Sequence, residues 1–313
     1  MIINNEYLLF FAGIILLIKG AGWLIAGASD MGKKWGLSSF MVGMTIVAFG
    51  TSLPELIISI MSILKGSEGI VLGNIIGSNI SNLLLILGIS GVIYPIRLSK
   101  EILRKDLVFS IYATILLLLI TVTLGVINRS MGVIFILLFL IFFYSRTKYS
   151  KGKEFDVGRK YGTIELKMIL LLILGSISLY IGGKFIVDSV ITISQTLNLS
   201  DFVISATAIA IGTSLPELTT SLKALKHNKK GMAVGNIIGS NIFNILWVLG
   251  VTSIIKPINL SQNLAIDIGF LLFGSMIFFL SMFVWKKYQI TKRKAMIFLA
   301  VYFTYILFII LRG

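Results

Sequence analysis

The sequence predicts an all-α integral membrane protein in which ten transmembrane helices form two inverted-topology repeats of five. Hydrophobic residues make up 57% of the 313-residue chain and charged residues only 13%, with a mean hydropathy of +0.98. So few polar side chains cannot cover a soluble globule of this length. The second observation is a near-duplication, because residues 40–55 and 202–217 both end in GTSLPE, 162 positions apart. A third, the distribution of basic residues among the loops, indicates how the two copies are related.

Ten apolar runs are suited to cross the bilayer as helices, which requires about 20 residues each. The start of the chain lacks the basic segment and cleavage site of a signal peptide, so the first run is expected to remain as a span. A short charged linker, residues 146–165, separates a first half, residues 1–145, from a second half, residues 166–313. The predicted spans are residues 7–27, 38–64, 69–94, 107–127, 130–145, 166–188, 201–223, 231–255, 263–285 and 295–312.

Basic residues indicate the orientation of the spans. Of the 28 lysines and arginines, 22 follow the odd-numbered spans, so the positive-inside rule makes that side cytoplasmic and places both termini outside. The basic loop at Lys33 and Lys34 corresponds, 162 positions later, to a loop without lysine or arginine. Corresponding loops therefore face opposite sides, as five spans per repeat also require. Inverted repeats are typical of secondary transporters, whose substrate site lies near the midplane where the repeats meet.

Two glutamates, Glu55 and Glu217, lie deep within predicted spans and have polar neighbours on the same helical face. An isolated carboxylate in hydrocarbon is costly, so such residues mark ion or proton pathways and face the protein interior. Thr51 and Thr213 each precede a glutamate by four positions, which places hydroxyl and carboxylate side by side wherever the backbone stays helical. Oxygen ligands from both halves are therefore expected to converge.

Each copy also contains a proline that is expected to break its helix. Pro54 lacks an N–H and its ring clashes with the carbonyl four residues earlier, so the helix should kink or unwind near residues 50–52, and Pro216 repeats the arrangement. Carbonyl oxygens released in this way, with Ala48 and Ala210 as candidates, can coordinate cations. The alternative is a plain proline kink whose hydroxyls bond back to their own helix. Two inverted copies, each with a glutamate, argue against that alternative.

The GNIIGSN segments at residues 73–79 and 235–241 are expected to form the other wall of the site. Their glycines recur at four-residue spacing, which lets helices approach closely. Asn74 and Asn236 are expected to hold helix ends or broken backbone together. The neutral oxygen ligands on one helical face of each copy are Ser78, Asn82, Ser240 and Asn244.

The ligand types in these segments suit hard cations. Calcium takes about six to eight oxygens and sodium accepts fewer of the same kind. Two carboxylates match one calcium ion or two sodium ions, and shared ligands would make these ions compete, as coupled exchange requires. Transition metals would favour imidazole or thiolate, but the chain has no cysteine and its one histidine, His227, lies in a lysine-rich loop. No cofactor is expected.

Present twice in opposite orientation, GTSLPE followed by GNIIGSN resembles the α-repeats of the sodium/calcium exchanger branch of the cation/calcium exchanger superfamily, in its compact prokaryotic form. The resemblance covers essentially the whole chain. It implies a central cluster formed by the second, third, seventh and eighth spans, and alternating access by sliding of the first and sixth spans. Carried over by motif position, the implied ion ligands are Ala48, Thr51, Ser52, Glu55, Ser78 and Asn82 from the first half and Ala210, Thr213, Ser214, Glu217, Ser240 and Asn244 from the second.

One position departs from part of this family. Archaeal prototypes and potassium-dependent members often carry an aspartate where this chain has Asn244. Two acids in place of three argue against potassium co-transport and against proton coupling through a third carboxylate. The proton/calcium branch has a different repeat motif with additional acids, so it ranks second. The short linker also lacks the large cytosolic regulatory region of animal exchangers.

The predicted function is a sodium/calcium antiporter of the cell membrane that acts as a monomer, not an enzyme. Glu55 and Glu217 would be the ligands shared by the two ions, which move in opposite directions by alternating access. A proton/calcium or other cation antiporter on the same scaffold and a passive cation channel stay open as alternatives. An intramembrane hydrolase is disfavoured because no HExxH pattern and no histidine lie within the spans. Basic charges fall in short loops, which argues against nucleic acid as a partner and leaves the lipid bilayer.

Lys19, Lys184 and Asp267 are among the further charged residues within predicted spans. Lys19 and Lys184 are not related by the repeat, so we expect them to snorkel to the interface or contact an interior acceptor and to take no part in ion coupling. Asp267 lies near the outer end of the ninth span and has no acidic counterpart in the other copy. It is therefore expected to lie outside the ion pathway.

Overall fold

The computed structural model describes residues 5–150, 165–195, 201–261, 263–284 and 287–312 and is helical almost throughout. Most of the predicted linker, residues 151–164, lies outside the described residues. In chain order the helices are α1 (Asn5–Lys34), α2 (Ser39–Thr51), α3 (Leu53–Leu64), α4 (Glu68–Ile93), α5 (Ile102–Thr123), α6 (Arg129–Ser150), α7 (Leu166–Gln195), α8 (Phe202–Lys226), α9 (Lys230–Ile255), α10 (Leu264–Ser281) and α11 (Lys292–Arg312). The strands are β1 (Ile96–Arg97), β2 (Val126–Ile127), β3 (Ile258–Asn259) and β4 (Gln289–Ile290).

Eight of these helices are long and apolar enough to cross a membrane, and a ninth crossing results if the bent pair α2–α3 counts as one span. These nine correspond to nine of the ten predicted spans. The remaining prediction, residues 166–188, falls on α7, whose described apolar stretch, Leu166–Gly182, is shorter than the others. The described part of the chain is thus an all-helical, multi-pass membrane protein.

Five stretches within the described helices are π-helical, and four of them repeat with the sequence. Gly43–Val47 in α2 matches Ser205–Ile209 in α8, and Ser81–Ile86 in α4 matches Phe243–Val248 in α9, each pair 162 positions apart. The fifth, Ile102–Leu107, begins α5. Since π-helical turns are rare and frequently occur at functional sites, the two copies share an uncommon backbone geometry as well as a sequence.

The centre of the protein is formed by α4 and α9, whose apolar stretches are 89% and 83% buried. Each packs against the broken helix of the other half, α4 against α8 and α9 against α2. A Cβ atom at Gly73 would lie 2.7 Å from the carbonyl oxygen of Phe202, and one at Gly239 would lie 2.6 Å from that of Met44. The glycines therefore allow close helix packing, as predicted. The central cluster consists of the second, third, seventh and eighth predicted spans, as the resemblance implied.

Two long helices, α1 and α7, pack along each other outside this cluster. Glycines again allow the two helices to approach closely, because a Cβ atom at Gly20 of α1 would lie 2.9 Å from the carbonyl oxygen of Gly175 in α7. Between this pair and α2 lies an apolar cavity of about 380 Å³. The α1–α7 pair is thus tightly joined within itself but less closely packed against the centre.

The two strand pairs connect loops from different halves of the chain. β1 pairs antiparallel with β4, and β2 pairs antiparallel with β3. β1 follows α4 and β4 precedes α11, so these two loops lie on the same side of the protein. β2 follows α5 and β3 follows α9, so the same holds for that pair.

A buried ion pair joins α5 and α6. Arg146 donates to both carboxylate oxygens of Asp106, at 2.7 and 3.0 Å, and to Glu101 at 3.3 Å. The Asp106 side chain is fully buried, whereas that of Glu101 is 36% exposed. Asp106 thus provides most of the negative charge that compensates the buried guanidinium of Arg146.

We expect Asp106→Ala to lower the free energy of unfolding by about 3 kcal/mol, because it leaves the guanidinium of Arg146 buried without its bidentate partner. Glu101→Ala removes an exposed partner of the same arginine and should cost less than about 1 kcal/mol. Thermal or denaturant unfolding of the purified protein in detergent measures both. Equal losses in the two variants would contradict the assignment of Asp106 as the structural partner.

Candidate cation site

Both predicted helix breaks are present. α2 ends at Thr51 and α3 begins at Leu53 at an angle of 42°, with Pro54 in the first turn of α3. Ser214 interrupts α8 at the corresponding position before Pro216, but α8 continues across it as a single span. Because proline costs no hydrogen bond in a first helical turn, each chain segment restarts its helix there and places the glutamate in that turn.

Side chains from both halves meet at these breaks. The Ser52 hydroxyl oxygen lies 2.9 Å from Glu217 Oε1 and 2.9 Å from the Ser240 hydroxyl, which itself donates to Glu217 Oε1 at 3.2 Å. Ser78 and Thr213 are joined by a hydroxyl–hydroxyl bond of 3.2 Å. The structure thus brings five of the predicted residues into contact across the halves, Ser52, Ser78, Thr213, Glu217 and Ser240. All twelve predicted residues are at most 2% exposed: Ala48, Thr51, Ser52, Glu55, Ser78, Asn82, Ala210, Thr213, Ser214, Glu217, Ser240 and Asn244.

The threonine hydroxyls bond across the two halves. Thr51 Oγ1 donates to Asn236 Oδ1 at 3.1 Å, and Thr213 Oγ1 donates to Asn74 Oδ1 at 3.2 Å. The spacing argument that set each threonine beside the glutamate four residues later requires a continuous helix, and the break at Ser52 or Ser214 interrupts that helix. Each hydroxyl crosses to the opposite half of the chain instead.

Asn74 and Asn236 hold the broken backbone, as predicted. Asn74 Nδ2 donates to the backbone carbonyl of Glu55 at 3.3 Å, and Asn236 Nδ2 donates to that of Glu217 at 3.4 Å. Asn74 also donates to the Ser59 hydroxyl and Asn236 to the Ser221 hydroxyl, and each serine lies one helical turn beyond the glutamate. Both amide groups are fully buried, so they fix the two glutamate-bearing turns and do not serve as free ligands.

The carbonyl oxygens of Ala48 and Ala210 are not released by the breaks. Each accepts the N–H of the serine four residues later at 3.0 Å and a threonine hydroxyl at 3.3 Å. Proline removes the hydrogen-bond donor two residues beyond that serine, so the carbonyl deprived of its partner belongs to Gly50 or Gly212. The expectation of free alanine carbonyls is therefore wrong for this conformation.

Unpaired buried polar atoms concentrate at the site. Among the described residues, eleven buried side-chain nitrogen and oxygen atoms have no hydrogen-bond partner, and seven belong to the twelve predicted ligands. Buried polar groups in proteins are nearly always paired, so a concentration of exceptions marks a place suited to binding a ligand. The seven atoms are Glu55 Oε1 and Oε2, Asn82 Oδ1 and Nδ2, Ser214 Oγ, Glu217 Oε2 and Asn244 Oδ1.

Glu55 and Glu217 have different hydrogen-bond partners. Glu217 accepts hydrogen bonds from hydroxyl groups, but both carboxylate oxygens of Glu55 are unpaired, and Ser214, the counterpart of Ser52, has no partner. The described residues contain no group of three or more histidine, cysteine, aspartate or glutamate side chains that could hold a metal. A cation here would be bound by two carboxylates and neutral oxygens, as the sequence predicts.

Sequence reasoning missed one asparagine pair. Asn79 and Asn241, also 162 positions apart, each donate a side-chain amide to the backbone carbonyl of the other, at 3.4 and 3.1 Å. Asn79 Oδ1 also accepts from Asn244 Nδ2 at 3.2 Å. That bond engages the amide nitrogen of Asn244, whereas the amide oxygen of Asn244 has no hydrogen-bond partner. The repeat spacing within GNIIGSN was the available signal for this pair.

The remaining intramembrane charges lie apart from the site. Lys19 and Lys184 are exposed on the surface of α1 and α7, which fits snorkelling. Asp267 is buried in α10, where Arg312 donates to it at 2.9 Å and Tyr305 at 3.3 Å. With both carboxylate oxygens engaged, Asp267 offers no free ligand, which fits the expectation that it takes no part in the ion pathway.

Comparisons with known proteins agree over nearly the whole chain. A family model described as sodium/calcium exchanger protein matches residues 5–148 and 167–311. MJ0091, an uncharacterized membrane protein of Methanocaldococcus jannaschii, is 34% identical over 296 residues, 94% of each chain. The sodium/calcium exchanger MaX1 of Methanosarcina acetivorans is 28% identical over 300 residues, 83% of this chain and 86% of that one.

Solved structures show the same similarity in three dimensions. The sodium-calcium exchanger NCX_Mj soaked with 2.5 mM Na+ and 1 mM Sr2+ matches with a TM-score of 0.82 at 32% identity, covering 98% of both chains. The same exchanger soaked with 10 mM Na+ and no Ca2+ matches with a TM-score of 0.81, covering 96% of this chain and 97% of that one. The helical architecture described above is therefore similar to that of a membrane exchanger.

Proposed function

This chain belongs to the sodium/calcium exchanger protein family, and from that premise we propose that its buried oxygen cluster is the site where the two ions exchange. The chain is a sodium/calcium antiporter, as its relatives MaX1 and NCX_Mj are by name. The ions occupying the cluster would be its transported substrates, and no resident cofactor is needed. Ten of the twelve predicted residues, all except Ala48 and Ala210, would supply the ligands.

The observation that carries this proposal is the group of seven unpaired buried atoms at the predicted positions. A buried carboxylate with no partner is costly, and a bound cation removes that cost. Calcium takes about six to eight oxygens in flexible geometry. One calcium between Glu55 and Glu217 would engage both carboxylates and reach neutral oxygens from Asn82, Ser214 and Asn244.

Glu55 and Glu217 would be the ligands that both ions share. Two negative charges balance one calcium or two sodium ions, whereas all of these ions together would leave excess positive charge in a site of low dielectric constant. Sodium binding would therefore favour calcium release. This competition gives coupled counterflow, which a passive channel does not need.

We also propose that the chain has ten spans in two inverted repeats, with both termini outside. Three contacts, two strand pairs and one ion pair, support an even number of crossings between the loops that they join. The strand pairs join the loops after the third and ninth spans, and after the fourth and eighth. Lys34, after the first span, bonds Glu165, after the fifth, at 2.8 Å. Each contact joins loops that ten crossings would place on the same side of the membrane.

Alternating access would use the separation between the α1–α7 pair and the central cluster. The pair is held together by close glycine contacts, while a cavity separates it from α2 near the bend. Sliding of this pair as a unit would open the cluster to one side and then the other. Since both halves of the site come from a single chain, a monomer would suffice for transport.

The test is calcium uptake into vesicles that contain the purified protein and are loaded with sodium. Labelled calcium should accumulate against its gradient, and collapse of the sodium gradient should stop the uptake. Vesicles loaded with potassium or carrying only a pH gradient should accumulate no more calcium than protein-free vesicles. Uptake driven by the pH gradient alone would overturn sodium coupling, and equilibration without accumulation would identify a channel.

Asn79→Ala should raise the apparent KM for calcium about tenfold while changing the maximal rate much less, because Asn244 loses the bond that orients its free oxygen. Asn241→Ala is the matched control, since it removes the reciprocal backbone contact but leaves the Asn79–Asn244 bond intact. Uptake measured over a range of calcium concentrations separates the two. An equal rise in KM for both variants would mean that Asn79 acts only through packing.

A further inference from the structure

Helix α1 is joined to α8 and the following loop by two lysine side chains. Lys223, in the last turn of α8, donates to the backbone carbonyl of Ile18 at 2.8 Å. Lys229, between α8 and α9, donates to the hydroxyl oxygen of Ser29 at 2.6 Å. The two acceptors are separated by about 16 Å along α1. The α8–α9 connection therefore holds α1 from its middle towards its C-terminal end.

A glycine on α1 gives the ammonium group of Lys223 access to the Ile18 carbonyl. Gly22 lies one helical turn after Ile18 in α1. A Cβ atom at Gly22 would lie 2.5 Å from Lys223 Nζ and 3.3 Å from Lys223 Cε. A methyl group at this position would therefore displace the ammonium group. The bond requires both a lysine on α8 and a glycine on α1.

The bond lies at membrane depth. Ile18 is close to the middle of the first predicted span, residues 7–27. A lysine near the end of a membrane helix ordinarily extends to the interface, whereas Lys223 reaches a carbonyl in the middle of a neighbouring helix. Charged side chains within a membrane pair with one another or with backbone carbonyls, because an unpartnered charge is costly there. A hydrogen bond from a charged donor is also stronger than one between neutral groups.

The second half of the chain does not repeat this bond at the corresponding positions. The residue 162 positions before Lys223 is Met61, which has no hydrogen-bond donor in its side chain, and the residue 162 positions after Gly22 is Lys184. Inverted halves exchange their environments when a transporter changes the side to which it opens. A bond that only one half can make therefore favours one conformation over the other.

We propose that Lys223 is a latch, which holds α1 against α8 in the conformation described and must leave the Ile18 carbonyl before the α1–α7 pair can slide. This inference rests on the sliding movement in the proposed function. A cavity separates the pair from α2, so the bonds to α8 are among the contacts that restrain it. Lys223 lies six residues beyond Glu217, about 9 Å along α8. It is a positioning residue, and it acts on the movement of α1 and not on the ions.

The latch is tested independently of transport by pulsed EPR on the full chain in vesicles. The sequence contains no cysteine, so spin labels can be attached at Ile15→Cys on α1 and Tyr112→Cys on α5, which are 54% and 64% exposed. We expect Lys223→Met and Gly22→Ala each to raise the population of a second distance between the labels about tenfold. Combining them should add nothing, because both remove the same bond.

Two controls match the chemical changes. Lys226→Met removes an exposed lysine one turn further along α8, and Gly269→Ala adds a methyl group that meets no atom of the described residues within 4 Å. Both should keep the distance distribution of the parent. An unchanged distribution in Lys223→Met and Gly22→Ala, additive effects of the two, or equal shifts in the controls would overturn the latch. Melting curves identify any variant that does not fold.

Sodium-driven calcium uptake tests the consequence for transport. The maximal rate should rise several-fold in Lys223→Met and Gly22→Ala and stay unchanged in both controls, because the bond that precedes sliding is gone. A slower rate, or a shifted distance distribution at an unchanged rate, would overturn the role of Lys223 in the transport cycle. Absence of uptake in every protein, including the parent, would instead refute the proposed function and leave the label distances standing.

Discussion

Glu55→Gln and Glu217→Gln should each reduce sodium-driven calcium uptake at least about a hundredfold, since calcium affinity depends steeply on the number of charged ligands. Glutamine keeps the shape of the side chain and one oxygen, so the change isolates the lost negative charge. A site with a single carboxylate would no longer balance a divalent ion. Uptake into sodium-loaded vesicles measures the loss directly.

The two variants should remain folded, for different reasons. At position 217 the glutamine oxygen can still accept the hydrogen bonds that Ser52 and Ser240 make to Glu217 Oε1. At position 55 neither carboxylate oxygen has a partner, so neutralising it removes a buried unpaired charge and should not destabilise the empty protein. In the unmodified protein, calcium should raise the melting temperature by binding the folded state. In both variants that increase should disappear.

Glu101→Gln is the matched control, because this carboxylate is 36% exposed. It lies just before the start of α5 and binds Lys105 and, near the end of α6, Arg146. It should leave both calcium uptake and stabilisation by calcium nearly unchanged. If either central variant transported calcium as well as this control, the assignment of Glu55 and Glu217 as shared ligands would fail. A variant that does not fold would be recognised by its melting curve without calcium.

The sequence was sufficient to place the helix breaks and the buried polar residues around them, because its strongest signals are local and occur twice. A glutamate and a proline within an apolar run, repeated 162 positions later, predicted two helix breaks, and both are present at Ser52 and Ser214. The buried positions of all twelve predicted ligands agree with their expected interior role. These inferences required only the cost of burying charge and the geometry of proline.

Contacts between the halves could not be predicted in the same way. The helical spacing of Thr51 and Glu55 holds only in an unbroken helix, and the break sends the threonine to Asn236, 185 positions away. The unequal environments of Glu55 and Glu217 likewise depend on which hydroxyl groups the opposite half brings near. Local sequence carries no record of such distant partners. The same limit applies to the ion pair of Arg146 with Asp106, 40 positions earlier.

The repeated π-helical stretches show a further limit. Gly43–Val47 and Ser205–Ile209 are separated from the breaks only by the short α-helical stretches Ala48–Thr51 and Ala210–Thr213, yet their sequences follow the same apolar pattern as an α-helix. A single extra residue per turn changes which side chains face the centre beyond that point, so face predictions made across such a stretch become unreliable. The prediction that the glycines of GNIIGSN, four residues apart, allow close helix packing succeeded. The segments that contain them, Glu68–Ile80 and Lys230–Ile242, are α-helical.

Asn244→Asp should make calcium uptake depend on pH more strongly than in the unmodified protein. Asn244 Nδ2 donates to Asn79 Oδ1 at 3.2 Å, and an aspartate can keep that bond only when it is protonated. Two neighbouring carboxylates also favour a proton on a third. At low pH the variant should therefore resemble the parent, whereas at high pH a third negative charge should increase calcium affinity.

We expect the apparent KM for calcium of this variant to fall about tenfold between about pH 6 and pH 9, relative to the parent over the same range. Asn82→Asp is the matched comparison, because Asn82 is equally buried but its amide has no hydrogen-bond partner. Asn82→Asp adds the same charge, but no neighbouring acceptor would stabilise its protonated form, so the KM of this variant should depend less on pH. Equal pH dependence in the two variants would show that Asn79 does not influence protonation at position 244, and an unchanged profile in both would place neither asparagine at the ion site.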